Sequence, residues 1–358
     1  MSDFCRFFHP PGSGYSADQQ FIGATKKVSS YEYSGKFYDS GEFRLVMRTD
    51  RNLLKKLSFD TIVFYDGDTH IVEDIETHGD ETILSGMDLK GIVKRRKAVF
   101  NANIGYDGIT GTTAECIEHY INNNFINTDD IRKMPIVFNA NGVVGIAEEA
   151  YMAKMDDCGE IVKNLCYNAG IGYTVEWSGP GASFVFKLLA GLDRSMNQST
   201  RPRIIFSTAW KNVKNMEFNH ISSNCYNAIY SEDVNKVIRC HYRNGVISGL
   251  SRKECLIGVD ADTAANAELA ALEAVKDNDI THSYKVAPAT FNAGEYSLGD
   301  IVSVRDPDIR NIFNGQITEI QKSYSAGQKN IEIVIGTGKQ KLFSCVINNL
   351  INGTQKRR

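Results

Sequence analysis

The stretch from Ile62 to Met87, IVFYDGDTHIVEDIETHGDETILSGM, decides the fold class of this sequence. Three short runs rich in β-branched residues, Ile62 to Tyr65, Ile71 to Ile75 and Thr82 to Met87, follow one another at hairpin spacing. Asp66-Gly67-Asp68 supplies a tight turn between the first two runs, because glycine tolerates a positive φ and aspartate bonds its own backbone. The stretch therefore predicts consecutive antiparallel strands.

The residues before this stretch extend the same pattern. Phe43, Leu45 and Met47 alternate with polar or charged neighbours, as they do in a strand with one buried face. Residues 31–105 are therefore predicted to form a small antiparallel β-barrel or sandwich.

The end of the chain returns to β structure. Residues 285–345 are predicted to form a second β module, with turn signals at Gly299-Asp300 and Asn314-Gly315. Its predicted strands are His282 to Phe291, Ile301 to Val304, Gln316 to Gln321 and Ile331 to Ile335.

The middle of the chain, residues 106–284, has a mixed pattern of helices and strands. Thr112-Thr113-Ala114-Glu115 is typical of a capping box that begins a helix. A second helix is predicted from about Asp157 to Asn168, with Gly170 as its C-terminal stop, and an alanine-rich segment from Thr263 to Lys276 predicts a third. Extended segments are predicted at Tyr173 to Trp177, Ser183 to Leu189, Arg203 to Ser207, Asn224 to Tyr230 and Lys236 to Tyr242. The chain as a whole is predicted to be α+β and predominantly β.

The two ends of the chain show no hydrophobic period. Residues 1–30 are polar and carry Pro10-Pro11-Gly12, so we predict an N-terminal arm that orders only on a neighbouring molecule. Residues 346–358 are predicted to be a C-terminal tail, too short to fold as a domain. Residues 1–20 hold no apolar signal-peptide core, and no window approaches the ~20 apolar residues that span a bilayer, so no membrane insertion is expected.

Composition and charge exclude several classes of protein. The 358 residues, 42% hydrophobic and 23% charged, are typical of a globular protein of two to four domains. A formal net charge of −3 provides no global attraction to nucleic acid or to an anionic membrane. The eight cysteines are too sparse for a disulfide scaffold and include no C-x-x-C pair, which indicates reduced core residues made in a cytoplasm.

One glycine-rich string invites a nucleotide-binding interpretation. Gly336-Thr337-Gly338-Lys339 lacks the glycine five residues before the Gly-Lys pair and the serine or threonine after it, where Ile333 and Gln340 stand. The string also follows a strand without a helix whose N-terminus could hold phosphate. A hairpin turn is therefore predicted.

Candidate metal ligands are present only as pairs. Cys240 and His241 are adjacent in a predicted strand and point to opposite faces, and Cys116 with His119 is a lone i, i+3 pair on a helix. For both pairs we expect a buried thiol beside a surface imidazole. Three acidic pairs lack the further carboxylates of a calcium loop: Asp66/Asp68, Asp156/Asp157 and Asp260/Asp262. We therefore predict no metal-binding residue.

Catalytic motifs are also missing. Asp-Gly-Ile-Thr-Gly at 107–111 does not match the G-x-S-x-G pattern of a nucleophile elbow, and we predict no catalytic or cofactor-binding residue. The only dense basic run is Lys94-Arg95-Arg96-Lys97. Such a run is most often a solvated turn, with contact to DNA or to an acidic partner surface as the alternative.

Three groups of motifs carry a resemblance to a known family. Ile83-Leu84-Ser85-Gly86 before Lys94-Arg95-Arg96 resembles the end of a first β module. Tyr296-Ser297-Leu298-Gly299-Asp300-Ile301-Val302 before Gly315-Gln316-Ile317-Thr318-Glu319-Ile320 resembles a C-terminal module opened by a Leu-Gly-Asp turn. The motifs between them are Gly191-Leu192-Asp193-Arg194-Ser195, Ile204-Ile205-Phe206-Ser207 and Asn224-Cys225-Tyr226-Asn227. Each motif alone is of low specificity, but their order over about 30–340 is similar to that of phage tail hub proteins of siphophage tail tips and contractile baseplates.

The resemblance implies an assembly in which two tube-like antiparallel β-barrel modules flank the mixed region. Such hubs are homotrimers with pseudo-sixfold symmetry, so six similar modules would meet a hexameric tail-tube or distal-tail protein, while a central threefold spike or fibre takes the other end. It also implies contact with a tape-measure protein, a lumen through which DNA passes without specific binding, and no cofactor. The place of action would be the tail tip or baseplate of a phage or tailocin, after synthesis in the host cytoplasm, with a role in host attachment.

Two other functions remain open at this stage. One is an enzyme that degrades cell-wall polymer, although the C-terminal tail is too short for an added lytic domain. The other is a carbohydrate-binding or receptor-binding β protein, which would use an exposed aromatic platform. Trp177 and Trp210 lie within or near predicted strands, where core packing is the more usual role.

Overall fold

The structure is a computed structural model that describes residues 4–99, 105–221, 225–242, 245–258, 267–268, 271–272, 275, 281–289, 296–307 and 311–336. Within these residues the chain is predominantly β with several sheets, as the sequence predicts, and α-helices are a minor part of it. The chain divides into two compact units. Unit 1 consists of Met1–Glu217 and Tyr284–Gly338, and unit 2 consists of Phe218–Ser283 and Lys339–Arg358.

The strands of the described residues form one large sheet and three small ones. In chain order they are β1 (Cys5–Phe8), β2 (Phe21–Thr25), β3 (Val28–Lys36), β4 (Glu42–Arg48), β5 (Ile62–Tyr65), β6 (Asp68–His78), β7 (Glu81–Asp88), β8 (Asp107–Gly111), β9 (Ile136–Asn139), β10 (Glu149–Ala153), β11 (Gly172–Trp177), β12 (Phe184–Leu189), β13 (Ile205–Phe206), β14 (Val213–Ile221), β15 (Ala228–Glu232), β16 (Ile238–Tyr242), β17 (Glu254–Gly258), β18 (Thr281–Pro288), β19 (Ile301–Asp306), β20 (Asn311–Ser325) and β21 (Gln328–Gly336). The large sheet has 13 strands in the order β14-β18-β21-β20-β3-β4-β7-β6-β5-β1-β2, with β19 paired to β20 off this path and β13 paired to β19.

The stretch that predicts the fold class forms the strands β5, β6 and β7 in this sheet. The turn between β5 and β6 is the predicted one, since Asp66 and Gly67 take φ of 53° and 85°. β4 and β7 pair in register, so that Leu45 lies opposite Leu84 in the core. The alternation seen in the sequence is therefore the alternation between the two faces of the sheet.

The long strand β20 joins the first and last parts of the chain. Its first residues pair with β19, and its second half pairs with β3, where Tyr324 lies opposite Tyr31. Two hydrophobic cores meet along this strand. Tyr324 packs against the core of the first module, around Leu45, whereas Ile317 is fully buried in the core of the last module.

The turn predicted at Asn314-Gly315 is wrong, because both residues lie inside β20. Gly315 is needed for close packing instead. A Cβ on this residue would lie 2.5 Å from the Phe313 ring and 2.8 Å from the carbonyl oxygen of Gly336 on the neighbouring strand. The glycine therefore permits close approach of two strands, which the sequence pattern does not distinguish from a turn.

The predicted N-terminal arm, residues 1–30, is also corrected by the structure. β1 pairs with both β2 and β5, and the Cys5 and Phe7 side chains are completely buried in the first core. The four-residue β1 is too short for a period to stand out in the sequence. Its apolar residues are nevertheless part of the chain's own core.

Two helices of unit 1 carry the capping residues that the sequence predicts. Besides the single turn α1 (Arg51–Leu54), they are α2 (Thr113–Ile121) and α3 (Cys158–Ala169). Thr112 caps α2 in a complete capping box with Glu115, and α3 ends at Gly170, whose φ is 67°. None of the described helices is long and apolar enough to cross a membrane.

Unit 2 contains the three-stranded sheet β16-β15-β17. Ile229 on its central strand is fully buried together with Ala267, Ala271 and Val275. These three residues belong to the predicted alanine-rich helix Thr263 to Lys276, most of which lies outside the described residues.

Candidate functional site

One face of the large sheet carries an unbroken polar row across six strands. Because β21, β20, β3, β4, β7 and β6 pair in register, the row consists of Asn330, Ser323, Glu32, Arg44, Ser85 and Asp74. The next row along the strands points to the core, and from β20 to β6 it consists of Tyr324, Tyr31, Leu45, Leu84 and Ile75. The sheet is therefore amphipathic across the boundary between the first and last modules, and we call the solvent side the polar face.

The polar face is concave and acidic. It forms a cleft of about 740 Å³ whose lining includes five carboxylate residues, Glu32, Glu42, Glu73, Asp74 and Glu332. The two cationic residues of the lining are Arg44 and Lys322, and the Lys322 ammonium is 2.6 Å from Asp68, outside the cleft. The surface is thus suited to repelling polyanions rather than holding them.

Polar contacts on the polar face hold its strands together, and one of them joins the two modules. Ser34 Oγ on β3 donates to Glu319 on β20 over 2.5 Å, and Gln321 Nε2 donates to the same carboxylate over 2.7 Å. Farther along the face, the Lys285 ammonium lies 2.7 Å from Glu332. Ser34 with Glu319 and Lys285 with Glu332 bridge neighbouring strands, so these two pairs support the register that makes the polar row continuous.

The basic run Lys94 to Lys97 is paired with the chain's own acceptors. Lys94 Nζ lies 2.8 Å from Asp39, and Lys97 Nζ lies 3.6 Å from Asp157. Arg95 is 2.5 Å from Asp60, and Arg96 Nε donates to the carbonyl oxygen of Arg132. These pairings favour the structural interpretation of the run over contact with DNA.

The Asp39 carboxylate in the first module forms ion pairs with two lysines, one of them on α3. The carboxylate lies 2.8 Å from Lys94 and 3.3 Å from Lys163 on α3. Burial raises the pKa of Asp39, but the two lysines, with the Ser40 N–H, outweigh burial and lower it to about 2. The group is therefore ionised and bound at neutral pH.

A second cavity, of about 350 Å³, has a buried polar floor in unit 1. Lys90 Nζ donates to the Lys36 carbonyl oxygen and lies 5.2 Å from the centre of the Tyr173 ring. Burial lowers the pKa of Lys90, while the Asp88 charge raises it. The buried Tyr173 hydroxyl has no hydrogen-bond partner among the described residues. No serine, cysteine or histidine is among the described lining residues, so the cavity presents no nucleophile of those types.

The two Cys/His pairs of the sequence have structural roles. Cys240 and His241 do point to opposite faces of β16, but the expected burial of the first pair is wrong. His241 is the buried member and pairs with Ser231 Oγ at 2.8 Å, whereas Cys240 is half-buried. The imidazole is buried because the inner face of β15 supplies a hydrogen-bonding partner. In the other pair, Cys116 is buried and His119 Nε2 lies 2.7 Å from Asp107.

The acidic pairs are not brought together into a cation site. Asp66 and Asp68 bind Lys329 and Lys322, and Asp157 caps α3 through the Gly159 N–H. Asp260 and Asp262, and Thr337 to Lys339 of the glycine-rich string, lie outside the described residues. Among the described residues there is no group of three or more His, Cys, Asp and Glu side chains that could hold a metal ion.

The two tryptophans do not form a platform. Trp177 is buried and donates its Nε1–H to the Ala182 carbonyl oxygen over 3.1 Å, whereas Trp210 is half exposed. The sequence analysis does not predict the polar face. The alternation of Glu32 and Ser34 with Tyr31 and Tyr33 is the signal from which one strand of it could be predicted. What the alternation does not give is which strands lie side by side.

Comparisons with known proteins agree on the fold. A family model described as siphovirus ReqiPepy6 Gp37-like protein matches residues 15–238 and 258–337. No curated protein matches the sequence. The solved 43 kDa tail protein of prophage MuSo2 from Shewanella oneidensis is similar with a TM-score of 0.57 and 12% identity, over 94% of this chain and 98% of that chain.

Two further solved structures are similar over nearly their whole length. The tail protein from Neisseria meningitidis MC58 has a TM-score of 0.56 and 13% identity, with 93% of this chain and 96% of that chain covered. Prophage tail protein gp18 from Listeria monocytogenes EGD-e has a TM-score of 0.53 and 12% identity, with 99% of this chain and 100% of that chain covered. At such identities the similarity concerns the fold.

Proposed function

Because the chain belongs to the siphovirus ReqiPepy6 Gp37-like protein family and shares its fold with prophage tail proteins, we propose that it is the structural hub of a phage tail tip or baseplate. Three copies form a ring that adapts the sixfold tail tube to a threefold spike or fibre. The ring encloses a channel for DNA. The protein has no catalytic role in this proposal.

The observation that carries the proposal is the sharing of β20 by two hydrophobic cores. One chain has a core around Leu45 in the first module and a core around Ile317 in the last, and both belong to a single sheet. Three such chains around an axis present six β cores, the number that a hexameric tube requires. In this proposal, residues 31–105 and 285–345 are the two tube-like modules.

The polar face supports the channel as well as the ring. Glu32, Glu42 and Asp74 are exposed on its concave side, and the basic run is held elsewhere by Asp39, Asp60 and Asp157. Protein cations that neutralise phosphates release counterions and bind DNA tightly, so an acidic wall lets DNA pass without holding it. We assign the polar face to the lumen.

The partners follow from the two ends of such a ring. One end meets a hexameric tail-tube or distal-tail protein, and the other holds a trimeric central spike or fibre, with the tape-measure protein reaching the lumen before ejection. The chain is made in the host cytoplasm and assembles into the tail tip of a phage or a tailocin, where it takes part in host attachment.

The proposal is tested by native mass spectrometry and electron microscopy of the full-length chain, alone and with tail-tube protein. We expect a mass three times 39.8 kDa and a ring whose inner wall is the face that carries Glu32, Arg44 and Asp74. A chain that stays monomeric with the tube protein present contradicts the hub. A trimer in which this face points outward contradicts the assignment of the lumen alone.

A further inference from the structure

Two histidines of unit 2 face each other on neighbouring strands. His220 lies on β14 and His282 on β18, and these strands are adjacent in the large sheet. Their Nδ1 atoms are 3.4 Å apart. The ring centres are 4.6 Å apart and the planes are inclined by 74°, so the rings meet edge to face rather than stacked.

The 3.4 Å between the two Nδ1 atoms matches the distance between two nitrogen ligands of a tetrahedral metal ion. Zinc bonds imidazole nitrogen at ~2.0–2.1 Å, and two ligands at the tetrahedral angle are then about 3.3–3.4 Å apart. Imidazole is a ligand for zinc, copper and nickel. We propose that His220 and His282 bind one divalent transition metal ion through their Nδ1 atoms, with Zn²⁺ as the representative ion.

The surroundings make this an open site. No third His, Cys, Asp or Glu ligand joins the pair among the described residues, so the remaining coordination positions are left to water or to a ligand from another molecule. The Phe218 ring lies nearly parallel to His282, with ring centres 6.0 Å apart, and covers one side of that imidazole. Such packing restricts the orientation of a ligand ring, as neighbours of metal-bound histidines commonly do.

The position of the pair suggests what the metal does. The chain enters unit 2 at Phe218 and leaves it at Ser283, so His220 and His282 lie at the two ends of this inserted segment. An ion held by both residues ties the ends together and closes a loop of about 60 residues, which stabilises the folded segment by restricting the unfolded one. This effect does not depend on the oligomeric state proposed above.

The proposal is tested by isothermal titration calorimetry of the metal-free full-length chain with ZnCl₂. We expect one Zn²⁺ per chain and at least tenfold weaker binding in both His220→Ala and His282→Ala. The matched control is His78→Ala, an exposed histidine on β6 that pairs with Glu76 in unit 1, and it should bind as the unchanged chain does.

A thermal unfolding measurement separates binding from misfolding. Zn²⁺ should raise the unfolding midpoint of the unchanged chain and of His78→Ala, and this rise should be lost in the double variant His220→Ala/His282→Ala. Far-ultraviolet circular dichroism checks that the double variant is folded. Equal Zn²⁺ binding by the folded double variant and the unchanged chain would overturn the proposal, as would the absence of binding at 100-fold molar excess of Zn²⁺.

Discussion

The aromatic ring of Phe37 lies so close to Gly299 that a Cβ on the glycine would be 2.3 Å from the ring. Gly299 also has a φ of +90°, and Phe37 is almost completely buried. Gly172 at the start of β11 approaches the same ring to the same distance. Phe37 therefore connects the end of β3 with the middle region and with the turn that opens the last module.

Replacement of Gly299 by alanine should destabilise unit 1 more than the loss of backbone freedom explains. The matched control is Gly327→Ala, which has a similar φ of +81° but open space around the Cβ position. Both variants strain the backbone, but only the first forces Phe37 out of place, which costs roughly 1–3 kcal/mol more. Urea unfolding of both variants measures the difference. Equal losses of stability would show that the Phe37 contact is dispensable.

Helix α2 offers a test of a feature that the sequence identifies. In its capping box, Thr112 Oγ1 accepts a hydrogen bond from the Glu115 N–H at 3.2 Å, and the Glu115 carboxylate accepts one from the Thr112 N–H at 2.8 Å. Thr112→Ala removes the hydroxyl and should lower the free energy of unfolding by about 1 kcal/mol. Thr112→Ser keeps the hydroxyl and should retain most of the free energy of unfolding that the cap contributes. Chemical denaturation of the two variants decides, and an alanine variant as stable as the serine variant contradicts a stabilising cap.

Asp39 predicts a pH dependence of stability. Its pKa is about 2 in the folded chain against an ordinary value of 3.8, so the ionised carboxylate stabilises the fold. This contribution is complete above about pH 4 and is lost as the pH falls from 3.8 towards 2. Below both pKa values the carboxyl is protonated in the folded and in the unfolded chain alike, so it no longer favours folding. Asp39→Asn should therefore lose about 2 kcal/mol at pH 7 and progressively less at lower pH.

The control for Asp39 is Asp130→Asn. Asp130 also binds a lysine, Lys133 at 2.9 Å, but it is fully exposed, where water screens the pair. Urea unfolding between pH 7 and pH 3 should show a pH-dependent gap between the unchanged chain and Asp39→Asn, and no measurable gap for Asp130→Asn. A gap for Asp39→Asn that stays constant with pH would mean that the variant acts by another route.

The sequence predicted local features well and long-range ones poorly. The Asp66-Gly67 turn, the Thr112 cap and the Gly170 stop depend on residues within a few positions of each other, and all three are confirmed. The exchange of partners along β20 and the contact of Phe37 with Gly299 depend on segments that are far apart in the chain.

The same distinction holds for the candidate site. The alternation that produces the polar row is visible in each strand, whereas the order β21-β20-β3-β4 that makes the row continuous is a property of the assembled sheet. His220 and His282 are separated by about 60 residues and match no short motif, so their convergence has no signal in the sequence.

Reversing the charge of the polar face tests the proposed channel. The variant Glu32→Lys/Glu42→Lys/Asp74→Lys replaces three exposed carboxylates with lysines on the concave side of the sheet. Each lysine that neutralises a phosphate adds about −0.9 to the slope of log K against log salt, so this surface should hold duplex DNA that the unchanged surface releases. In tails assembled with the variant, genome release should slow without loss of attachment.

The control for the channel carries the same charge change elsewhere in unit 1. Glu118→Lys/Asp130→Lys/Glu148→Lys places three lysines at exposed positions of the middle region, outside the polar face. Both variants should bind duplex DNA as isolated chains, as fluorescence anisotropy at different salt concentrations measures. DNA that passes through the channel contacts only the lysines on the channel wall. Only the polar-face variant should therefore slow genome release from assembled tails. Equal slowing by both variants, or by neither, argues against the polar face as the lumen wall.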